Sequence, residues 1–263
     1  MELYFQPGKR FGTLQLWAKL IFIIAVFLFT GAAAFAQDNI LEDVLKTTDK
    51  LNQELLNVTS ISDKDENKIG KELDKEISKK LIITESKKFD VGLIFKKIKA
   101  GVSRKKIDYR FKIVRDTEVN AYSIAGGMVY VNTGLLDFVS NDDELAFVIG
   151  HEISHNEKKH CIKKIQYAVL ASNINQNLGA IVQTAYSVYD IPFTKYQEYE
   201  ADELGVKLMT KDGYDKKGAL SFFDKLKKLE QKYGEENRDA LNDFISSHPT
   251  AEDRKEKIEK MQD

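Results

Sequence analysis

Two histidines one helical turn apart, with a glutamate beside the first, constrain this chain more than any other feature. Residues 151–155 read His151-Glu152-Ile153-Ser154-His155. On an α-helix, positions four apart share a face, so both imidazoles can reach one point in space. Zinc is the ion most often found between such nitrogens, at about 2.0–2.1 Å from each. The carboxylate of Glu152 can then reach an attacking water without binding the ion itself. The bland alternative is a surface helix with two solvated histidines, and the flanking residues argue against it. Asn141 with Glu144 predicts a capping box, in a run of acidic residues suited to a helix N-terminus. Leu145, Val148, Ile149 and Ile153 follow at helical spacing and predict one buried face.

A catalytic zinc takes three protein ligands and keeps a fourth position open. The segment Thr194-Lys195-Tyr196-Gln197-Glu198-Tyr199-Glu200-Ala201-Asp202 predicts a second helix, with Thr194 and Gln197 as its capping box. Ala201, Leu204, Gly205 and Leu208 form its apolar stripe. Glu198 is placed to be the third ligand. Asp202, one turn further on, is placed to accept the outward N–H of a ligating imidazole and so fix its tautomer. Glu200 and Glu203 read as a solvated acidic face. The chain has four histidines. If the helix continues past His155, His160 rotates off the ligand face, where it bonds to backbone or to an acidic neighbour. His248, in a loop before Pro249, can donate to the oxyanion of a tetrahedral intermediate or fill the open metal position.

These motifs resemble, in order, those of the metallopeptidases of family forty-eight, the HtpX-like and CAAX-prenyl-protease-like zinc endopeptidases. The nearest branch is the soluble periplasmic one of β-barrel-assembly-enhancing proteases. The resemblance runs from about Ser60 to the C-terminus. It takes in residues 63–73, the segment Asn120-Ala121-Tyr122-Ser123-Ile124-Ala125-Gly126-Gly127, residues 129–136, the His-Glu-x-x-His helix with His160, the Glu198-to-Asp202 motif, and His248-Pro249 followed by Arg254. Ala125 stands where the family has proline. The resemblance implies an α+β, mainly helical, zincin-like (gluzincin) catalytic domain with a small sheet or hairpin beside the active-site helix. It implies one zinc per chain on His151, His155 and Glu198, with Glu152 as base and His248 beside the zinc. Asp202 and Arg254 would stand behind the ligands. Asn120, Ala121, Tyr122 and Gly126 would belong to a substrate-binding edge.

The residues support that edge independently. Phe111 to Val114 reads as a short strand, and Ala121–Ile124 with Met128–Asn132 as a hairpin around Gly126-Gly127. A free strand edge can take an extended polypeptide by main-chain pairing. Residues 40–58, 63–80 and 215–233 read as amphipathic helices. Residues 165–191 are moderately apolar but interrupted by Asn173, Asn175, Gln176 and Asn177, which would be costly in lipid. That stretch reads as a helix and a connection beside the cleft.

The first 36 residues read as a signal peptide: Lys9, Arg10 and Lys19, the apolar run Leu20–Phe29, then Ala34-Phe35-Ala36. An uncleaved inner-membrane anchor over residues 20–35 is the alternative. Removing the leader leaves 37 basic residues against 40 acidic, a balance of −3, which predicts no nucleic-acid surface. The lone Cys161 cannot form an internal disulfide and reads as a small buried hydrophobe, with a redox-sensitive thiol as the minor alternative. The division expected is a leader over 1–36, a helical region over 37–110 packed on the catalytic domain, and a catalytic domain over 111–263. The expected function is zinc-dependent peptide hydrolysis in the periplasm. Substrates would be unfolded or misassembled envelope proteins, and peripheral membrane association is compatible with this. A latent protease acting as a chaperone-like binder and a metal-free structural module are the competing readings.

Overall fold

The computed structural model describes residues 61–172, 177–233 and 251–261. The leader, the 40–58 segment and His248 lie outside the described residues. The architecture is mainly helical with one small sheet, as expected. Helix α1 (Asp63–Ser78) opens on Ser62, whose side chain accepts from the Asp65 amide. It is followed by strand β1 (Ile83–Thr84), helix α2 (Val91–Ala100), and strands β2 (Arg110–Val114), β3 (Ala121–Ile124) and β4 (Met128–Asn132). Next come α3 (Thr133–Phe138), α4 (Asp142–Glu157), α5 (His160–Ser172), α6 (Leu178–Val188), α7 (Lys195–Lys211), α8 (Lys217–Tyr233) and α9 (Ala251–Glu259). No helix among the described residues is long and apolar enough to cross a membrane.

The sheet runs β1-β2-β4-β3. β3 and β4 form the expected antiparallel hairpin, with Tyr122 opposite Tyr130, and β2 lies parallel to β4. Gly126 and Gly127 turn the hairpin at φ of 83° and 85°, a region open to glycine and costly for residues with a Cβ. β4 is buried along its whole length, as a central strand covered on both faces should be. β3 stands at the end of the order, so one of its edges is unpaired within the sheet. The Asn132 amide donates to the Asn120 carbonyl. By antiparallel alternation, Asn120 and Tyr122 therefore face β4, and Ala121 and Ser123 turn their backbone groups the other way, where the Ser123 carbonyl accepts from Cys161 Sγ at 3.6 Å.

Helix α4 differs from the amphipathic helix expected. Every residue from Glu144 to Asn156 is buried, because α2, α7, α8 and the hairpin all pack around it. Phe147 meets Phe222 and Phe223 of α8. The polar residues on this helix survive burial by finding partners, as buried polar groups must. Asn141 caps the Glu144 amide as expected, but Glu144 does not complete the box. Its carboxylate accepts from the Ser140 amide (2.8 Å), from Ser221 (2.7 Å) and from Lys225 (2.7 Å). Burial against α8 offers it a charged partner, which an exposed helix end would not have.

Two glycines fix how closely α4 and α7 approach. A Cβ at Gly150 would lie 2.9 Å from the Gly205 carbonyl oxygen, and one at Gly205 would lie 2.8 Å from the His151 amide. Only bare backbone allows that contact, and it sits one residue before His151.

Candidate metal centre and cleft

The close crossing of α4 and α7 brings together residues 47 positions apart in the chain. The Nε2 atoms of His151 and His155 are 3.1 Å apart. Glu198 Oε2 lies 3.4 Å from His151 Nε2, and Glu198 Oε1 lies 3.5 Å from His155 Nε2. Donors bound at about 2.0–2.1 Å to one tetrahedral ion stand about 3.3–3.4 Å from each other. The separations, one to each Glu198 oxygen and one between the rings, lie within about 0.3 Å of that figure, so the donor set fits a zinc ion. None of the three residues is more than 2% exposed.

Each imidazole is held from behind. His151 Nδ1 is 2.9 Å from Asp202 Oδ1, the contact the helical spacing predicts. With Nδ1–H donated to Asp202, Nε2 is the nitrogen turned toward Glu198 and His155. Arg254 of α9 grips Asp202 with two parallel bonds, from Nε and Nη2, each 2.7 Å, and its Nη1 lies 2.9 Å from Glu198 Oε2. Its guanidinium also stacks over Phe223, 5.0 Å from the ring centre.

On the other side the structure corrects two expectations. Helix α4 does not continue. Lys159 adopts a left-handed conformation (φ 62°) and ends it, and α5 begins at His160. The turn carries His160 back, so that its Nδ1 lies 3.1 Å from His155 Nδ1 while its Nε2 lies 3.3 Å from Glu200 Oε2. Glu200 is therefore a partner of His160 and of Lys158 (3.5 Å), with its side chain 26% exposed, and not part of a solvated acidic face. Burial lowers the affinity of His160 for a second proton. A neutral His160 can accept from His155 Nδ1–H and donate its own Nε2–H to Glu200. Glu203, by contrast, pairs with exposed Lys207 on its own helix.

Phe193, which no sequence signal singled out, stacks on His155 with ring centres 3.8 Å apart and planes 17° from parallel. Lys164 lies on its opposite face, 3.9 Å from the ring centre. Lys164 donates to the carbonyls of Ile191 and, at 3.3 Å, Tyr189. The loop between α6 and α7 is thereby strapped over the histidine.

Glu152 is fully buried and lines a cavity of about 330 Å³ with Asn120 and Tyr122. Ala121 directs its methyl into the core, so what it presents to the cleft is backbone. Gly126 lies apart. Its amide donates to Glu66 Oε1 (3.3 Å), and its Cα packs against Gly70. The hairpin turn is tied to α4 as well, through the Gly127 amide and Asn156 Oδ1 at 3.2 Å. Cys161 is buried beside Ser123, and burial pushes its thiol up to about 12. That keeps the thiol protonated and fits the expectation of a small buried hydrophobe.

The centre is rich in carboxylates. Among the described residues, the buried Glu152, Glu198 and Asp202 gather around one buried guanidinium, that of Arg254. A divalent cation suits so acidic a centre, which agrees with the donor geometry. Without a metal, a proton compensates in part. Burial opposes a charge on His151, but Asp202 and Glu198 outweigh it and push its pKa up to about 9.

The sequence profile of peptidase family M48 matches residues 92–262. The mitochondrial metalloendopeptidase OMA1 of Arabidopsis thaliana is 33% identical over 154 residues, covering 56% of this chain and 30% of that protein. Metalloprotease LoiP of Escherichia coli is 28% identical over 160 residues, covering 56% of this chain and 60% of that protein. The beta-barrel assembly-enhancing protease of Yersinia pestis is 25% identical over 154 residues, covering 52% of this chain and 32% of that protein. The chain thus spans less than two thirds of the length of each of these relatives.

Proposed function

From the premise that this chain belongs to peptidase family M48, we propose that it is a zinc metalloendopeptidase with His151, His155 and Glu198 as ligands and Glu152 as general base. The convergence of three buried donors at ligand-like separations carries this reading. Zinc, when bound there, polarises the scissile carbonyl and makes an attacking water acidic enough to ionise near neutral pH. The chain's own residues do the rest. Glu152 takes the proton of the attacking water and returns it to the leaving amine. Asp202, held by Arg254, keeps the His151 ring in the tautomer with Nε2 free, and His160 with Glu200 does the same for His155. The edge of β3 pairs with the substrate as an added strand, its backbone offered at Ala121.

We assign the catalytic unit to residues 111–263, with the described residues 61–110 packed on it. The substrates we propose are unfolded or misassembled envelope proteins, in a quality-control role. Similarity to the beta-barrel assembly-enhancing protease and to LoiP supports this, together with the export-type leader. OMA1 carries "mitochondrial" in its name, so the compartment rests on the leader and not on the shared catalytic core.

Hydrolysis of casein by zinc-loaded protein tests the activity. Chelation should abolish it and zinc should restore it, while His155→Ala should lose both metal and hydrolysis. A His155→Ala variant that still binds one zinc with wild-type affinity would overturn the ligand assignment.

Proton release tests the electrostatics. Zinc needs the Nε2 lone pair of His151, whose folded pKa in metal-free protein is about 9. Near pH 7.5, zinc binding should therefore expel about one proton, falling toward none as the pH rises well past that value. Calorimetry in buffers of different ionisation enthalpy reads this directly. The same proton stabilises the metal-free fold. Because the folded pKa is raised above the unfolded one, that contribution is complete below about pH 6.5 and is lost as pH rises through about 9. No proton release near pH 7.5 would contradict a charged His151.

A further inference from the structure

The cavity beside Glu152 carries more acceptors than cleaving a peptide bond requires. Asn120 is 8% exposed, and its Oδ1 accepts no hydrogen bond. Leaving a buried acceptor unpaired is unfavourable, and this one lines the cavity. Asp116 and Asp190 line the same cavity. Two aromatic rings, Tyr122 and Tyr189, complete the walls with centres 6.2 Å apart. Lys164 is the only cation among the described lining residues, and its ammonium is already engaged by the carbonyls of Tyr189 and Ile191 and by the face of Phe193.

We infer that this cavity is a specificity pocket for a long cationic side chain, arginine or lysine, of the polypeptide substrate. The inference rests on the peptidase reading and adds the substrate class to it. The chemistry is complementary at each level. An aliphatic stem or a planar guanidinium lies against the tyrosine rings, which attract cations through their faces. Its N–H groups supply the donor that Asn120 Oδ1 lacks. Asp116 and Asp190 supply the opposite charge. Arginine suits the site better than lysine, since its flat, multiply donating head can stack on a ring and reach two acceptors at once. An acidic side chain would stand among Asp116, Asp190 and Glu152, with the one lysine already engaged. The cavity, about 330 Å³, is at the small end of the roughly 300–1,000 Å³ typical of ligand pockets, which suits one side chain.

The test uses zinc-loaded full-length protein and a set of internally quenched peptides. Each position flanking the cleaved bond is varied in turn among Arg, Lys, Leu and Glu. One position should favour Arg and Lys over Glu by about 10–100-fold in kcat/KM, the range of a charge-assisted hydrogen bond. That preference should shrink as salt is raised, because part of the attraction is between charges near solvent. Asp116→Asn should lower the Arg-to-Leu ratio at that position by about tenfold. It is a mild substitution, because Asn keeps the Oδ1 that receives the Glu118 amide at 2.9 Å; an unchanged melting temperature confirms the fold. If this variant does not fold, the salt series on the wild-type protein decides alone. Peptides cleaved with no cationic preference at any position overturn the pocket and leave the peptidase reading intact. Failure to cleave any peptide overturns both.

Discussion

Glu152→Gln is expected to hold zinc at wild-type stoichiometry and to lose peptide hydrolysis by about 10²–10⁴-fold, the usual range for deleting a general base. The amide has the size of the carboxylate, so the fully buried position is not reshaped. It has no basic oxygen with which to take a proton from water. The three ligands lie on other residues, so the metal stays. Steady-state hydrolysis alongside metal analysis checks both halves of the prediction. A zinc-loaded variant with near-normal turnover would remove Glu152 from the mechanism.

Arg254→Met is expected to cost about 3–5 kcal/mol of stability in metal-free protein, the range for stranding a buried charge. Arg254 is 1% exposed and bridges Asp202 and Glu198. Methionine fills much of the volume but leaves two carboxylates side by side without their shared cation. Zinc restores part of the missing positive charge, so the loss should be clearly smaller in zinc-loaded protein. Thermal melts with and without chelator separate the two states. Equal destabilisation in both would mean that Arg254 does not balance the charge of the metal centre. A loss under about 1 kcal/mol in the metal-free state would mean that the site is not as closed to water as its burial indicates.

The parts of the site that were legible in the sequence are those set by local geometry. His151 and His155 share a face because four residues make about one turn, and Glu198 and Asp202 follow the same rule. The hairpin was legible because Gly126-Gly127 interrupts two runs of alternating residues, and the α7 capping box because Thr194 and Gln197 stand three apart. The structure has both, and the box is complete. The rest depends on contacts between distant segments. Burial of α4 on every side follows from four neighbouring elements that its own periodicity does not announce. The half-formed box at Asn141 follows from Lys225, about 80 residues away. His160 could be placed only by knowing that Lys159 turns left-handed, a conformation that a lysine does not advertise. Phe193 and Lys164 carried no pattern at all. Gly150 was the one overlooked signal. A glycine inside an otherwise well-formed helix, next to a ligand, marks a close backbone approach, and Gly205 is its counterpart on α7.

A chance His-Glu-x-x-His on a surface helix would leave its histidines solvated and its neighbours unpaired. Here each ring has a partner behind it, and the partners have partners: Asp202 has Arg254, and His160 has Glu200. Such supports are built where ring orientation matters. They argue against a metal-free structural module, since three buried donors converging at ligand-like separations have no evident purpose without a cation.

The most direct test is where zinc binds. Crystals of zinc-loaded protein, measured on both sides of the zinc absorption edge, should show one anomalous peak about 2.0–2.2 Å from His151 Nε2, His155 Nε2 and a Glu198 oxygen. A peak elsewhere, or one with His160 or Asp202 in place of any of the three, would contradict the account.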